Sequence, residues 1–168
     1  MSLITVFTAP KPFAHPHINR IQRNATRSWQ ALAPEVDVLV IGCEDGLDEA
    51  ARELGFRYLP DVERNAAGTP LIRALFDRAR AHSDSPLLAY VNADILLLPD
   101  FVTAARQAAE QAAEFLMVGQ RWDLDVTADL AFTPGWDQRL RQDVAARGRL
   151  HTRGGSDYFV FPRACFTQ

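Results

Sequence analysis

The stretch from Leu87 to Asp100 constrains this chain more than any other. It opens as the unbroken apolar run Leu87-Leu88-Ala89-Tyr90-Val91, which predicts a strand buried on both faces. Asn92 and Asp94 then flank Ala93, ahead of a second apolar run from Ile95 to Leu98. A carboxylate at the end of a buried strand must be solvated or hold something, because an isolated buried charge is too costly to tolerate. Side chains at i and i+2 of an extended segment point to one side. Asn92 and Asp94 can therefore reach the same hard divalent cation or the same sugar hydroxyl. Mg²⁺ and Mn²⁺ sites are oxygen-rich and often take only one or two protein carboxylates plus substrate phosphates. The competing reading is a plain Asn-Ala-Asp turn that ends the strand.

The remainder of the chain supplies the sheet this strand needs. Leu3 to Thr8 and Val36 to Ile41 are β-branched, apolar runs that predict strands, and Phe56 to Leu59 predicts a shorter one. Between the first two, Ile18, Ile21, Ala25, Trp29 and Leu32 recur at helical spacing, and Pro34 stops the helix. Leu47 to Leu54 is a second helix closed by Gly55. Thr69-Pro70 predicts a third helix start, with Thr as cap and Pro in the first turn. Pro99-Asp100 opens a fourth helix to about Glu114, Phe115 to Val118 predicts a strand, and Trp136 to Ala146 a helix stopped by Gly148. A last apolar run covers Tyr158 to Phe161. Strands that alternate with helices predict an α/β protein: a three-layer α/β/α sandwich on a mixed, mainly parallel sheet. Ligands of such sheets bind beyond the carboxyl ends of the strands, where Thr8, Glu44, Asp45, Asn92 and Asp94 fall. No G-x-G-x-x-G and no G-x-x-x-x-G-K-[ST] is present, so the usual dinucleotide and P-loop readings lose their support.

Composition narrows the function classes. A length of 168 residues predicts one domain able to bury roughly 70% of its unfolded surface. The net charge of −3 comes without an acidic or basic block, which argues against nucleic acid and membrane-surface partners. No apolar stretch is long enough to span a membrane, no signal peptide is read at the start, and the expected compartment is the cytoplasm. Cys43 and Cys165 have no metal or redox spacing and are expected to be buried thiols.

Set in order, these residues resemble the nucleotide-diphospho-sugar transferase (GT-A) fold, and within it the family 2-like glycosyltransferases. The residues that carry the resemblance are Phe7-Thr8-Ala9-Pro10, Glu44-Asp45-Gly46, the polar loop and helix from Asn65 to Arg73, and Asn92-Ala93-Asp94 in the place of the D-x-D motif. They cover most of residues 3 to 100. The resemblance implies a single domain over 1–168, with truncation at its C-terminal end left open. It implies a nucleotide-sugar donor held by Thr8, Glu44, Asp45, Asn65, Arg73 and Asn92, and a divalent cation, Mn²⁺ or Mg²⁺, held by Asp94. Here Asn92 replaces the first D-x-D carboxylate, and Ala74 stands where the family usually has Asn beside its helix Arg. Gly154-Gly155-Ser156-Asp157-Tyr158 resembles the glycine-rich acidic segment of galactosyltransferase-type enzymes, which implies Asp157 as base for an acceptor hydroxyl.

The expected activity is a metal-assisted, inverting, hexosyltransferase-like transfer to a carbohydrate or other hydroxyl acceptor. An Asp at a turn before a strand is the plain alternative for Asp157. Arg64 and Arg73 could grip a diphosphate, Trp122 and Trp136 could stack on a sugar or base, and His151 could add a metal ligand. Asp123 and Asp125 read as a solvated loop with a second carboxylate site as the alternative. Two other functions compete. One is a non-catalytic carbohydrate- or nucleotide-binding module. The other is a sugar-1-phosphate nucleotidyltransferase, which needs a glycine-rich, basic loop, whereas residues 8–20 contain no glycine.

Overall fold

A computed structural model describes residues 1–166. Four strands, β1 (Ile4–Thr8), β2 (Val36–Ile41), β3 (Arg57–Leu59) and β4 (Leu87–Val91), lie parallel, with β1 between β2 and β4. Helices α1 (Pro16–Gln30), α2 (Leu47–Leu54) and α3 (Ile72–Ala81) are the crossovers. After β4 come α4 (Pro99–Gln111), β5 (Met117–Val118), β6 (Trp122–Asp123), α5 (Trp136–Arg147), β7 (Arg149–Leu150) and β8 (Tyr158–Pro162). The main sheet runs β3-β2-β1-β4-β8-β5, with β8 antiparallel to both its neighbours, and β6 pairs with β7 in a separate two-stranded sheet. This is the mixed, mostly parallel α/β sheet that the alternation of elements predicts.

Period-2 alternation divides the core into two layers. Ile4, Val6, Val38, Val40, Ala89, Val91 and Val160 face Trp29 of α1, Ala50 of α2 and Phe101 of α4. Phe7, Leu39, Ile41, Leu88 and Phe161 face Leu75 and Ala79 of α3. Phe76 stacks on Phe161 at a centroid distance of 5.4 Å and meets Phe7 edge-on at 5.1 Å. Thr5 sits in this second layer fully buried, its hydroxyl bonded to Ser83 at 2.7 Å and Ser85 at 2.9 Å.

Three expectations need correction. The third helix begins at Ile72, without a Thr69 cap, because residues 65–69 close on themselves first. Asn65 Oδ1 accepts from the amides of Ala67 and Thr69, and the Asn65 amide donates to the Thr69 carbonyl at 2.9 Å. Cys43 is exposed and Cys165 half-buried, because Cys43 follows the last core residue of β2 into an open turn. The strand expected over Phe115 to Val118 is confined to Met117–Val118.

Candidate functional site

The carboxyl end of β4 and the start of β8 meet side by side, since Val91 pairs with Tyr158. The register continues one residue further, where the Asn92 amide donates to the Asp157 carbonyl at 2.9 Å. Asn92 Nδ2 then donates to Asp157 Oδ1 at 3.2 Å. Antiparallel pairing thus joins two motifs far apart in the sequence.

Asp157 is only 4% exposed. Its Oδ1 also accepts from Arg121 Nη1 at 2.7 Å, a charge-assisted bond. Its Oδ2 is buried and has no partner among the described residues. Arg121 lies just before β6, and its Nε donates to Asp123 Oδ1 at 2.8 Å. Asp123 Oδ2 meets His151 Nδ1 at 2.8 Å across the β6–β7 pair. The hydrogen bond to Asp157, then that to Asp123, raises the Arg121 pKa and holds its charge. His151 first, and Arg121 second, hold the Asp123 carboxyl below its ordinary range. Two glycines fit this packing. A Cβ on Gly119 would lie 1.8 Å from the Tyr158 ring, and one on Gly155 would lie 3.0 Å from His151.

Arg121, Asp123, Asp157 and Tyr158 line a cleft of about 730 Å³ with Asn92, Asp94, Asp100 and Asp125. Burial pushes the Tyr158 phenol up, with Asp100 adding to it. Helix α1 braces the cleft from behind. Ser28 Oγ accepts from the Leu97 amide at 3.0 Å, and Trp29 Nε1 donates to the Ile95 carbonyl at 2.8 Å. Asn24 donates to the Ala128 carbonyl at 3.0 Å and accepts from the Leu130 amide at 2.9 Å.

The structure brings Asn92, Asp94 and Asp157 together in this cleft. It places Thr8, Glu44, Asp45, Asn65 and Arg73 elsewhere. Thr8 ends β1 with its hydroxyl buried and unpartnered among the described residues. Glu44 is paired to Arg64 at 2.8 Å, and Asp45 is exposed. Asn65 uses its side-chain oxygen on its own loop, and Arg73 is 87% exposed on α3, facing Asp77. Trp122 lines the cleft while half exposed, and Trp136 packs on Phe132. Arg121 is the residue that the sequence reading did not single out. The sequence offers His151 as a metal ligand and Asp123 as a solvated carboxylate; in the structure they pair with each other.

A divalent cation fits this site in one way only. Among the described residues no group of three or more His, Cys, Asp or Glu could hold a metal ion alone. Asn92 to Ile95 form a turn, the Ile95 amide donating to the Asn92 carbonyl at 3.1 Å, so the extended pair expected of Asn92 and Asp94 is not formed; Asp94 is exposed in that turn, which suits a cation that arrives with phosphate oxygens.

No family model matches the chain, and no curated protein matches it. Solved structures do. A protein described as a nucleotide-diphospho-sugar transferase from Desulfovibrio desulfuricans G20 is 11% identical with a TM-score of 0.54, covering 97% of this chain and 64% of its own. The 4-diphosphocytidyl-2C-methyl-D-erythritol synthase of Anaerococcus prevotii DSM 20548 is 8% identical with a TM-score of 0.53, covering 96% and 72%. S. aureus TarS is 12% identical with a TM-score of 0.48; the match covers 70% of this chain, which spans only 35% of that one. With its strand order, its crossovers and the two likenesses at TM-scores of 0.53 and 0.54 together, the chain has a GT-A-like fold.

Proposed function

We propose that this protein is a nucleotide-sugar-dependent glycosyltransferase that transfers a sugar to an acceptor hydroxyl with inversion. The observation that carries the reading is Asp157: a carboxylate lining the same cleft as Asp94, with one oxygen fixed by Arg121 and Asn92 and the other buried and unpartnered among the described residues. A carboxylate oriented through one oxygen presents the other as a general base. The acceptor hydroxyl gives its proton to Oδ2 as its oxygen attacks the anomeric carbon. The bond from that carbon to the diphosphate breaks, and the nucleoside diphosphate leaves with the electron pair. Asn92 orients Asp157, and Asp94 would hold the divalent cation. When bound, that cation supplies stabilisation of charge on the departing phosphate oxygens.

The nucleotidyltransferase reading finds less support. Such enzymes cradle a triphosphate with free loop amides. Here the Lys11 amide donates to Gln22 and the Phe13 amide to the Asp45 carbonyl, at 2.7 and 2.8 Å.

The test is a thermal-shift titration with UDP, GDP, CDP and dTDP, each with and without Mn²⁺. One nucleotide is expected to raise the melting temperature in a metal-dependent way. Asp94→Ala is expected to abolish that shift. Asp157→Asn is expected to keep it while transfer falls by about 100-fold or more. A wild-type protein that responds to none of the four nucleotides would sink the reading.

A further inference from the structure

We infer that Arg121 is a positioning residue for Asp157, tied between two carboxylates in a cleft whose acidic lining receives an acceptor without negative charge. The inference rests on the reading of Asp157 as base and names the acceptor class for it.

The charges around the cleft point this way. Asp94, Asp100, Asp123, Asp125 and Asp157 line it, and Arg121 is the single Lys or Arg among the lining residues. An arginine in a sugar-binding cleft is normally a candidate for gripping a carboxylate or phosphate. This one is tied to two carboxylates. Nη1 is on Asp157 at 2.7 Å, Nε is on Asp123 at 2.8 Å, and Nη2 lies 3.2 Å from both ring nitrogens of His151. Asp123 is anchored in turn by His151, so the guanidinium is braced from behind while it holds the base in front.

The remaining carboxylates are not fully offset. Arg141 reaches Asp100 at 3.0 Å, whereas Asp94 and Asp125 have no ion pair among the described residues. A divalent cation on Asp94 would be shared with the donor's phosphates. An anionic acceptor would therefore meet carboxylates and no unpaired Lys or Arg among the lining residues. The Oδ2 of Asp157, buried and unpartnered among the described residues, requires a donor from whatever reaches it. Its side chain is 6% exposed, and an O–H donor from an uncharged polyol would satisfy it.

The test has a binding arm and a clamp arm, neither of which needs the donor to be known. Saturation-transfer NMR compares matched pairs: methyl β-glucoside with methyl β-glucuronide, and methyl β-galactoside with methyl β-galacturonide. The neutral member is expected to bind at least ten times more tightly. Equal or stronger binding of the acid, or no binding by either neutral glycoside, overturns the inference. For the clamp, the Arg121 Nε–H resonance is expected to be protected in the wild type and to lose protection in both Asp157→Asn and Asp123→Asn. An Nε–H unprotected in the wild type overturns the positioning role.

Once a donor is found, Arg121→Gln is expected to lower kcat by roughly 10- to 100-fold with the KM of a neutral acceptor unchanged. Arg121→Lys is not expected to rescue it, because a point-like ammonium cannot bridge two carboxylates as a guanidinium fork does. Asp123→Asn keeps the side-chain shape and serves where the Arg121 variants do not fold. A rise in KM with unchanged kcat would make Arg121 a binding group and overturn the role. Nucleotide binding that fails while the neutral preference holds removes only the donor reading. Transfer that favours an anionic acceptor removes only this inference.

Discussion

At the scale of single residues, the ion pairs around Arg121 make the protein sensitive to acid in a definite direction. The Asp123 carboxyl is held below its ordinary value of 3.8, by His151 first and Arg121 second. A depressed native pKa stabilises the fold above the unfolded pKa and loses that contribution as pH falls through the native one. Asp143 is depressed by Arg147 in the same sense. The melting temperature is expected to hold above about pH 4 and to fall below it. In Asp123→Asn that acid-induced fall should be shallower, and added salt should have less effect, as measured by calorimetry across the same range. Asp94 and Asp157 are legible in the sequence because a carboxylate after an apolar run, or after paired glycines, stands out by contrast. The Arg121–Asp123–His151 chain is not. It depends on β6 and β7, strands of two residues each, too short to display any alternation.

At the scale of elements, α1 does more than cover the sheet. Its apolar spacing through Ala25 and Trp29 is readable as a helix face, yet Gln22, Asn24 and Ser28 are buried beside that face and tie down three separate loops. A sequence reading assigns such polar residues to solvent, because nothing local announces a partner some seventy or a hundred positions away. Ser28→Ala leaves the Leu97 amide buried without its acceptor, and a loss of about 1–3 kcal/mol is expected in urea unfolding. Asn24→Ala frees both the Ala128 carbonyl and the Leu130 amide. Limited proteolysis within residues 124–132 is expected to accelerate severalfold, with the melting temperature lowered less than in Ser28→Ala. Equal protease resistance in wild type and variant would mean that the loop is held by its other contacts, such as Arg27 over the Phe132 ring.

At the scale of the whole molecule, the sheet has two origins. The parallel β1–β4 half was legible, since βαβ order and right-handed crossovers leave few arrangements. The place of β8 was not. Tyr158-Phe159-Val160-Phe161 reads the same in either direction, and only tertiary pairing sets it antiparallel between β4 and β5. That position makes it indispensable. Removing residues 156–168 is expected to expose the β4 edge, uncover Phe76 and Tyr90, and abolish the cooperative thermal transition seen by circular dichroism. A truncated chain that still melts cooperatively would show that the parallel half folds alone.

Because β8 is an interior strand and Asp157 immediately precedes it, synthesis on the ribosome has a fixed order of events. The parallel half emerges first, with the bare edge of β4 and the aromatic layer on α3 waiting for a partner still unmade. The nascent polypeptide is thus at its most adhesive just before β8 is made, and that interval ends with the same few codons. A chaperone that shields the β4 edge would act within that interval, and translation speed between residues 91 and 162 sets how long it lasts.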